Sequence, residues 1–407
     1  MAKEFTDFSG RLLGTAGFEG EYLLIDPATG ELVQRAADVL AECFRYGGLE
    51  GAISPEYSAD MIEVKTGPTG TTVGEFRRDV LGKIALLIRA AKECGCALLP
   101  TAHHLNPNGV VRQIFEDHPG GRFPNNGSRY RALTARYPAL GRGAASNTAA
   151  QFHIGFPMRR SAQRDVAVVV ADCATTLGNI KVAAAANSPN FKTGSDYIEC
   201  MRHILWSQMA RSGPYLYGTW GALVEYANRL QESGDISLKT ELWHVERFNK
   251  ETLESRGMDE QPDMEHLFGL WAFVHALHLT IWNKVRYGSF VPKLPRLEEI
   301  LERSDEVFRI GLSAPTKVPV WSIFDGRWTT LDQIFERLIA FVRPTAEDYD
   351  LHEDLNRFAA YVSEGQNGAA MLVQWHREEK SNVLAVYKRA ARHFADSVEE
   401  YAGRIAA

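Results

Sequence analysis

The chain has 407 residues, of which 45% are hydrophobic and 24% charged, and these values predict a soluble globular protein with a sizeable core. The formal net charge of -6 and the lack of a basic run with interleaved aromatic residues argue against nucleic acid as a partner. The longest apolar run is interrupted by Asp172, Asn179 and Lys181, so we expect no membrane span and a cytoplasmic protein. Five scattered cysteines favour reduced thiols over a disulfide framework.

The first part of the chain is predicted to alternate strands and helices. A strand in "GFEGEYLLI" ends at the turn formers of "DPATG", and "ELV" can pair back as the second arm of a hairpin. A second strand follows in "SADMIEVKTGP", then a helix that ends near Gly95, and then a strand in "ALLPTAHHLNP". Residues 106–127, rich in Gly, Pro and Asn, predict a long loop of the kind that often covers a site.

The rest of the chain is predicted to become mostly helical. A strand in "TAAQFHIGFP" precedes an alanine-rich helix from about Asp165 to Ala186. From about Met264 onward the apolar residues recur at helical spacing, including one long closing segment, residues 368–405. No internal repeat or low-complexity linker divides the chain. We therefore predict one α+β domain over residues 1–407, with a strand-rich core at about 10–263 and a helical part at about 264–407.

Two carboxylates in the first strand form the first candidate site. Side chains alternate along a strand, so Glu19 and Glu21 point to the same side, about 6.5 to 7 Å apart. Such a pair could belong to a solvated face. However, the flanking "YLLI" is apolar on both faces and predicts burial, and a buried carboxylate pair is costly unless a cation compensates it. The functional alternative is therefore that the two carboxylates converge on one divalent metal ion or straddle a pair of ions.

The pattern of same-face polar residues recurs in two later stretches. "SPEYSADMIEVKTGP" offers Glu56, Asp60 and Glu63, and "KETLESRGMD" offers Glu254 and Arg256 two positions apart. A carboxylate beside an arginine is most often a structural ion pair. The functional alternative is that Glu254 holds a metal while Arg256 contacts a phosphoryl group in transfer. Spacing alone leaves both open.

Three further polar residues complete the candidates. His153 could be a satisfied core histidine or a neutral metal ligand, and Gly155 beside it permits close approach of a ligand or of backbone. Asn187 in "ANSPNF" could mark a helix end or a binding loop. Arg202 in "MRHILW" could be a surface arginine. Its apolar neighbours favour a partly buried guanidinium, which needs a carboxylate or phosphate partner. No Walker-type loop, G-x-G-x-x-G or G-x-S-x-G motif is present.

Taken in order, these stretches resemble the carboxylate-amine ligase family, also called the type 2 glutamate-cysteine ligase family. "GFEGEYLLIDPATGEL" is similar to its opening G-x-E-x-E hairpin, "SPEYSADMIEVKTGP" to its second strand and "QFHIGFP" to its histidine strand. "ANSPNF" resembles its Asn-Ser-Pro loop, "MRHILW" its arginine segment, and "LWHVERFNKETLESRGMD" its T-L-E-x-R pattern followed by an aspartate. "EGQNGAA" resembles its late Gly-Asn-Gly-Ala motif.

The resemblance implies a glutamine-synthetase-like fold, with a curved antiparallel sheet flanked by helices and the site on its concave face. It implies ATP and a divalent metal, normally Mg²⁺ with Mn²⁺ as an alternative. Five residues fall on the family's metal positions: Glu19, Glu21, Glu63, His153 and Glu254. Arg256 and Arg202 fall on phosphate or substrate positions, and Asn187 on a cofactor position. The implied reaction activates a carboxylate, by default the γ-carboxylate of glutamate, as an acyl phosphate that an amine converts to an amide.

Two departures from the family pattern put glutamate and cysteine in doubt as substrates. Gly20 stands where the family commonly has a glutamate, and Gln151 stands where it has a first histidine. A specialised ligase for another acid or amine, an ATP-dependent phosphotransferase and a non-catalytic ATP-binding homologue therefore stay open. The expected partners are small-molecule acid and amine substrates, and a homo-oligomer is left open.

Overall fold

The structure is a computed structural model, and it describes most of the chain. The described residues are 10–47, 51–67, 73–109, 112, 147–192, 197–203, 216–232, 246–249 and 251–406. The predicted loop at residues 106–127 lies mostly outside them.

Within the described residues, seven strands form one antiparallel sheet in the order β2-β3-β1-β5-β7-β6, with β4 paired to the end of β1. The strands are β1 (Ala16–Ile25), β2 (Ile53–Pro55), β3 (Met61–Lys65), β4 (Ala97–Leu99), β5 (Ala149–Gly155), β6 (Glu246–Asn249) and β7 (Thr252–Asp259). The predicted opening strand and the strands in "SADMIEVKTGP", "ALLP" and "QFHIGFP" are confirmed. The predicted return of "ELV" is reduced to a bridge between Ile25 and Leu32.

Helices cover the sheet and make up most of the C-terminal third. They are α1 (Ala36–Arg45), α2 (Val73–Glu93), α3 (Ser161–Thr176), α4 (Gly178–Ala185), α5 (Trp220–Glu232), α6 (Met264–Arg286), α7 (Leu297–Ile310), α8 (Leu331–Asp348), α9 (His352–Ser363), α10 (Gly368–Glu378) and α11 (Val383–Ala406). Helix α6 is buried along most of its length and packs against α3, α8, α9 and α11. The expected α+β fold, an antiparallel sheet flanked by helices with a helical last third, is confirmed. A single domain over residues 1–407 stays a prediction.

The two faces of β1 differ because its side chains alternate. Phe18, Tyr22 and Leu24 join the large hydrophobic core under the helices. On the opposite face Leu23 joins a smaller cluster with residues of α10 and α11, including Tyr387. Glu19 lies on this second face at 7% exposure, in the part of the strand where apolar residues give way to polar ones.

Two predicted helices are each broken in the structure. The alanine-rich helix divides at Leu177, where the chain leaves helical geometry. Two local features explain the break: Thr176 Oγ1 donates a hydrogen bond to the Asp172 carbonyl, and Gly178, a poor helix former, follows. The closing segment divides because Lys380 and Ser381 adopt positive φ angles of 52° and 65°. A short antiparallel hairpin, β8 (Pro319–Ser322) with β9 (Arg327–Thr330), was not predicted.

Among the described residues, no single helix is long and apolar enough to cross a membrane. Helices α3 and α4 reach that length and composition only as a pair, which is bent by 53°. Most of their residues are buried inside the protein.

The first departure from the family pattern, Gly20, has a packing reason. A Cβ at Gly20 would lie 2.4 Å from the Phe18 ring and 3.0 Å from the Tyr22 hydroxyl, and both rings are fully buried. We expect Gly20→Ala to lower the free energy of unfolding by about 1–3 kcal/mol, as overpacked core substitutions do. Gly82→Ala in α2, where a Cβ would meet nothing within 4 Å, is the control and should be neutral or stabilising in the same denaturant titration. An equal response of the two variants would contradict this account of Gly20.

Candidate active site

The register of the sheet brings the predicted acidic residues together on one face. Glu21 in β1 lies opposite Glu63 in β3, and His153 in β5 lies opposite Glu254 in β7. Glu19 is two residues before Glu21 on the same face. Glu19 and Glu21 therefore share one face of β1, as strand alternation predicts, and the ligand atoms on this face form two groups.

The first group, which we call the histidine cluster, consists of Glu19, His153 and Glu254. One ligand atom from each lies within 4.8 Å of the other two, and all three side chains are buried. His153 Nε2 lies 3.4 Å from Glu19 Oε1 and makes no hydrogen bond to any described residue. Two carboxylates and an imidazole are a ligand set for a divalent metal.

The hydrogen bonds behind His153 favour the tautomer that a metal needs. Thr252 Oγ1 donates to the Asn249 carbonyl, 2.7 Å away, so it can only accept from His153 Nδ1, 2.8 Å away. The Nδ1 atom therefore carries a proton, and Nε2 is the ring nitrogen that faces the carboxylates. This outer hydrogen bond is typical of metal-ligating histidines, because it fixes the ring so that the other nitrogen can face a cation.

The second group, which we call the glutamate cluster, consists of Glu21, Glu56 and Glu63. Its three carboxylates also approach within 4.8 Å of one another. Burial, followed by repulsion from Glu56 and Glu63, raises the pKa of Glu21 well above its usual value. Burial, followed by the charge of Glu19, raises the pKa of Glu63 to about 8, although Lys65 forms an ion pair with it. An all-oxygen site of three carboxylates fits a hard cation such as Mg²⁺.

These pKa shifts predict how stability depends on pH and Mg²⁺. Between about pH 4.5 and pH 8 the folded protein keeps the Glu63 proton that the unfolded chain has lost, so metal-free stability should fall as pH rises through this window. Added Mg²⁺ should therefore raise the unfolding temperature more at pH 8 than at pH 6. A Glu63→Gln variant should show a smaller pH dependence in thermal unfolding with and without Mg²⁺. A stabilisation by Mg²⁺ that is the same at both pH values would contradict the prediction.

Two arginines share the carboxylate of Glu254. Arg247 Nε lies 2.9 Å from Oε2, and Arg256 Nε lies 2.8 Å from Oε1. Burial opposes ionisation, but the charges of Arg247 and Arg256 outweigh it and lower the pKa of Glu254 to about 2. Burial and the nearby Arg247 lower the pKa of Arg256 to about 10. The guanidinium of Arg256 therefore stays charged at neutral pH, beside the histidine cluster.

Gln151 connects the arginines to the glutamate cluster. Its Nε2 donates to Glu21 Oε1, 2.9 Å away, and its Oε1 accepts from Arg256 Nε, 3.1 Å away. Gln151→Leu removes both hydrogen bonds and keeps a side chain of similar size. If Glu21 binds a metal as predicted, we expect this variant to reduce the kcat/KM of the reaction at this site by about 10- to 100-fold, the usual cost of losing a partner of a metal ligand. Gln333→Leu on an exposed face of α8 is the control. Steady-state kinetics with unchanged kcat/KM would rule out this bridging role.

Arg202 and Asn187 lie beside this face, around Asp259 at the end of β7. Arg202 Nη1 is 3.8 Å from Asp259 Oδ1, so the predicted buried guanidinium with a carboxylate partner is confirmed. Burial raises the pKa of Glu21, and the charge of Arg202 opposes that rise, which places Arg202 within electrostatic reach of the glutamate cluster. Asn187 Nδ2 donates to the carbonyls of Pro100 and Glu260, and its role in cofactor binding stays a prediction.

Other sequence candidates have structural partners. Asp60 is fully buried and paired with Arg112, 2.6 Å away, so it does not belong to either cluster. A Cβ at Gly155 would lie 2.7 Å from the Leu12 carbonyl oxygen, so this glycine allows the backbone of Leu12 to approach closely. The late Gly-Asn-Gly-Ala-like motif packs against the Asn-Ser-Pro loop. A Cβ at Gly368 would lie 2.5 Å from Asn187 Oδ1, so only glycine fits between them.

Comparison with known proteins adds relatives of this chain. A Gloeobacter violaceus protein with the provisional name glutamate–cysteine ligase 2 is 26% identical over 273 residues, 66% of this chain and 69% of that protein. A Rubrobacter xylanophilus protein with the provisional name glutamate–cysteine ligase 2-3 is 26% identical over 348 residues, 84% of this chain and 86% of that protein.

Two solved structures share the fold. A glutamate–cysteine ligase from Francisella tularensis, solved in complex with AMP, superposes with a TM-score of 0.66 at 14% identity, over 97% of this chain and 93% of that chain. A bifunctional glutathione synthetase from Pasteurella multocida gives a TM-score of 0.66 at 15% identity, over 96% of this chain and 53% of that chain. The sequence model named "Glutamate-cysteine ligase family 2" matches residues 15–389. The chain therefore belongs to glutamate-cysteine ligase family 2, as its motifs predict.

Proposed function

We propose that this protein is an ATP-dependent ligase that joins the carboxylate of one small molecule to the amine of another, with the γ-carboxylate of glutamate as the default acid. Membership of the family supports an ATP-dependent ligase. The observation that carries the proposal is the sheet face on which two acidic clusters lie beside Arg247 and Arg256. AMP in the Francisella tularensis structure supports an adenine nucleotide as a substrate of this chain.

The two clusters suit divalent cations. His153 turns Nε2 toward Glu19 and Glu254, and Glu21, Glu56 and Glu63 offer oxygen atoms alone. Bound there, Mg²⁺ or Mn²⁺ would neutralise the phosphates of ATP and the charge that develops in phosphoryl transfer. Lys65 and Gln151 hold Glu63 and Glu21 in place.

Arg256 is the side chain best suited to the transferred phosphoryl group. Its Nε is held by Gln151 and Glu254, which fixes the orientation of the guanidinium plane. Its Nη1 is buried and has no hydrogen-bond partner among the described residues. A buried donor without a partner is costly, and a phosphate oxygen would satisfy it with a charge-assisted hydrogen bond.

The proposed reaction has two balanced steps. An oxygen of the substrate carboxylate attacks the γ-phosphorus of ATP, the bond to the bridging oxygen breaks, and ADP leaves with that bonding pair. The amine nitrogen then attacks the carbonyl carbon of the acyl phosphate, phosphate leaves, and the nitrogen loses a proton to give the amide. Arg256, held in place by Glu254, stabilises the negative charge in the first step.

The test is ADP release from Mg²⁺-ATP with glutamate as the acid and a panel of amines that includes cysteine. Release that needs both acid and amine, with one phosphate formed per ADP, is the expected result. Release that needs the acid alone and leaves a stable phosphorylated product would indicate a phosphotransferase. ATP binding without turnover on any acid and amine pair would contradict the ligase and favour a non-catalytic homologue.

A further inference from the structure

A third group of ligand-type side chains lies apart from the two acidic clusters. Cys200 pairs with Ser188 in an isolated bridge, His203 follows it by three residues, and Asp259 is the last residue of β7. All three side chains are almost fully buried. One sulfur, nitrogen or oxygen atom from each lies within 4.8 Å of the other two.

One oxygen of the Asp259 carboxylate is held by hydrogen bonds, and the other makes none to a described residue. Its Oδ2 accepts hydrogen bonds from the Asn187 backbone N–H at 2.9 Å, from Ser188 Oγ at 2.6 Å and from Cys200 Sγ at 3.6 Å. Its Oδ1 makes no hydrogen bond to a described residue and has Arg202 Nη1 at 3.8 Å. A buried carboxylate oxygen without a hydrogen bond is uncommon, and it can accept a cation as a ligand.

The imidazole of His203 supplies the nitrogen of this group. One of its ring nitrogens lies within 4.8 Å of the ligand atoms of Cys200 and Asp259, and the ring is fully buried. A thiol, an imidazole and a carboxylate are the residue types that hold a zinc-class metal.

We propose that Cys200, His203 and Asp259 form a site for a zinc-class divalent cation, distinct from the two clusters that suit Mg²⁺. A thiolate and an imidazole favour a borderline-soft metal, whereas Mg²⁺ prefers oxygen ligands alone. Three protein ligands leave a fourth tetrahedral position for water. On binding, Cys200 forms its sulfur–metal bond and releases the thiol proton to solvent.

The charge balance allows such a site next to Arg202. A thiolate and a carboxylate carry two negative charges, which cancel those of a divalent cation, so the guanidinium faces a neutral complex. Arg202 lies between Cys200 and His203 in sequence, and a metal held by its two neighbours would fix its backbone beside Asp259. This effect on Arg202 matters for the reaction only if the proposed function holds, but the metal site itself does not depend on it.

The test uses cobalt in the full-length protein, because Co²⁺ replaces zinc and gives a near-ultraviolet charge-transfer band only when a thiolate is bound. We expect this band in the wild-type protein loaded with Co²⁺, its displacement by about one equivalent of Zn²⁺, and its loss in Cys200→Ser. His203→Gln should weaken Co²⁺ binding at least tenfold. Cys43→Ser, at an equally buried thiol in α1, is the matched control and should keep the band.

Two results would overturn the proposal. One is Co²⁺ binding to the wild-type protein with no thiolate band, since the carboxylate clusters would then account for all bound metal. The other is a band that persists in Cys200→Ser. Neither readout involves ATP or turnover, so failure of this site and failure of the ligase assignment are separate outcomes.

Discussion

The variants Glu19→Gln and Glu21→Gln are each expected to lower Mg²⁺-dependent ADP release by more than about 100-fold. Even the outer partners of metal ligands are worth about 10- to 100-fold, and these carboxylates are proposed as the ligands themselves. Glutamine keeps the shape of the side chain and its place in β1 while it removes the negative charge. The expected loss therefore measures cation binding and not the packing of the strand.

The two variants should differ because their clusters differ. Glu19 shares its site with His153, so Glu19→Gln should lose affinity for Mn²⁺, which accepts imidazole, as well as for Mg²⁺. Glu21 shares its site with carboxylates only, so Glu21→Gln should shift the Mg²⁺ titration most strongly. Glu302→Gln, at an exposed position of α7, is the control. Wild-type rates and unchanged metal titrations in both variants would exclude a metal role for these residues.

The convergence of the acidic residues could be predicted because it depends on local alternation. Glu19 with Glu21, and Glu254 with Arg256, are each two residues apart on one strand, and a strand places such pairs on one face whatever the topology. Which residues lie across from each other depends on strand order and register, which a single sequence leaves open. The division into a histidine cluster and a glutamate cluster therefore became visible only in the structure.

Arg247 was missed for the same reason. It reaches Glu254 because β6 and β7 form a hairpin in which these two residues are opposite, and the turn includes Glu251 at a φ of 63°. The sequence signal for this hairpin is weak, since "ERFNKETLE" has no Asn-Gly or Asp-Gly turn. By contrast, the hairpin β8–β9 was overlooked although "FDGRW" carries an Asp-Gly turn between aromatic residues.

Arg256→Lys should lower the rate constant for ADP release by about 1,000-fold and change the affinity for Mg²⁺-ATP only slightly. Arginines that stabilise phosphoryl transfer are worth about 10³–10⁵ in rate, and lysine keeps the charge but loses the planar fork. In this protein the fork matters because Nε is engaged by Gln151 and Glu254 while Nη1 is left for an incoming oxygen. A single lysine ammonium cannot occupy the positions of both Nε and Nη1.

The matched controls separate this role from a structural ion pair. Arg247→Lys removes the other guanidinium on Glu254 and should weaken the positioning of that carboxylate, with a smaller loss of rate than Arg256→Lys. Arg309→Lys, exposed on α7, should have no effect. Rapid-quench measurement of ADP formation in a single turnover reports the transfer step directly. If Arg256→Lys formed ADP at the wild-type rate, Arg256 would be only the structural partner of Glu254, and the phosphoryl group would have to be held by another cation.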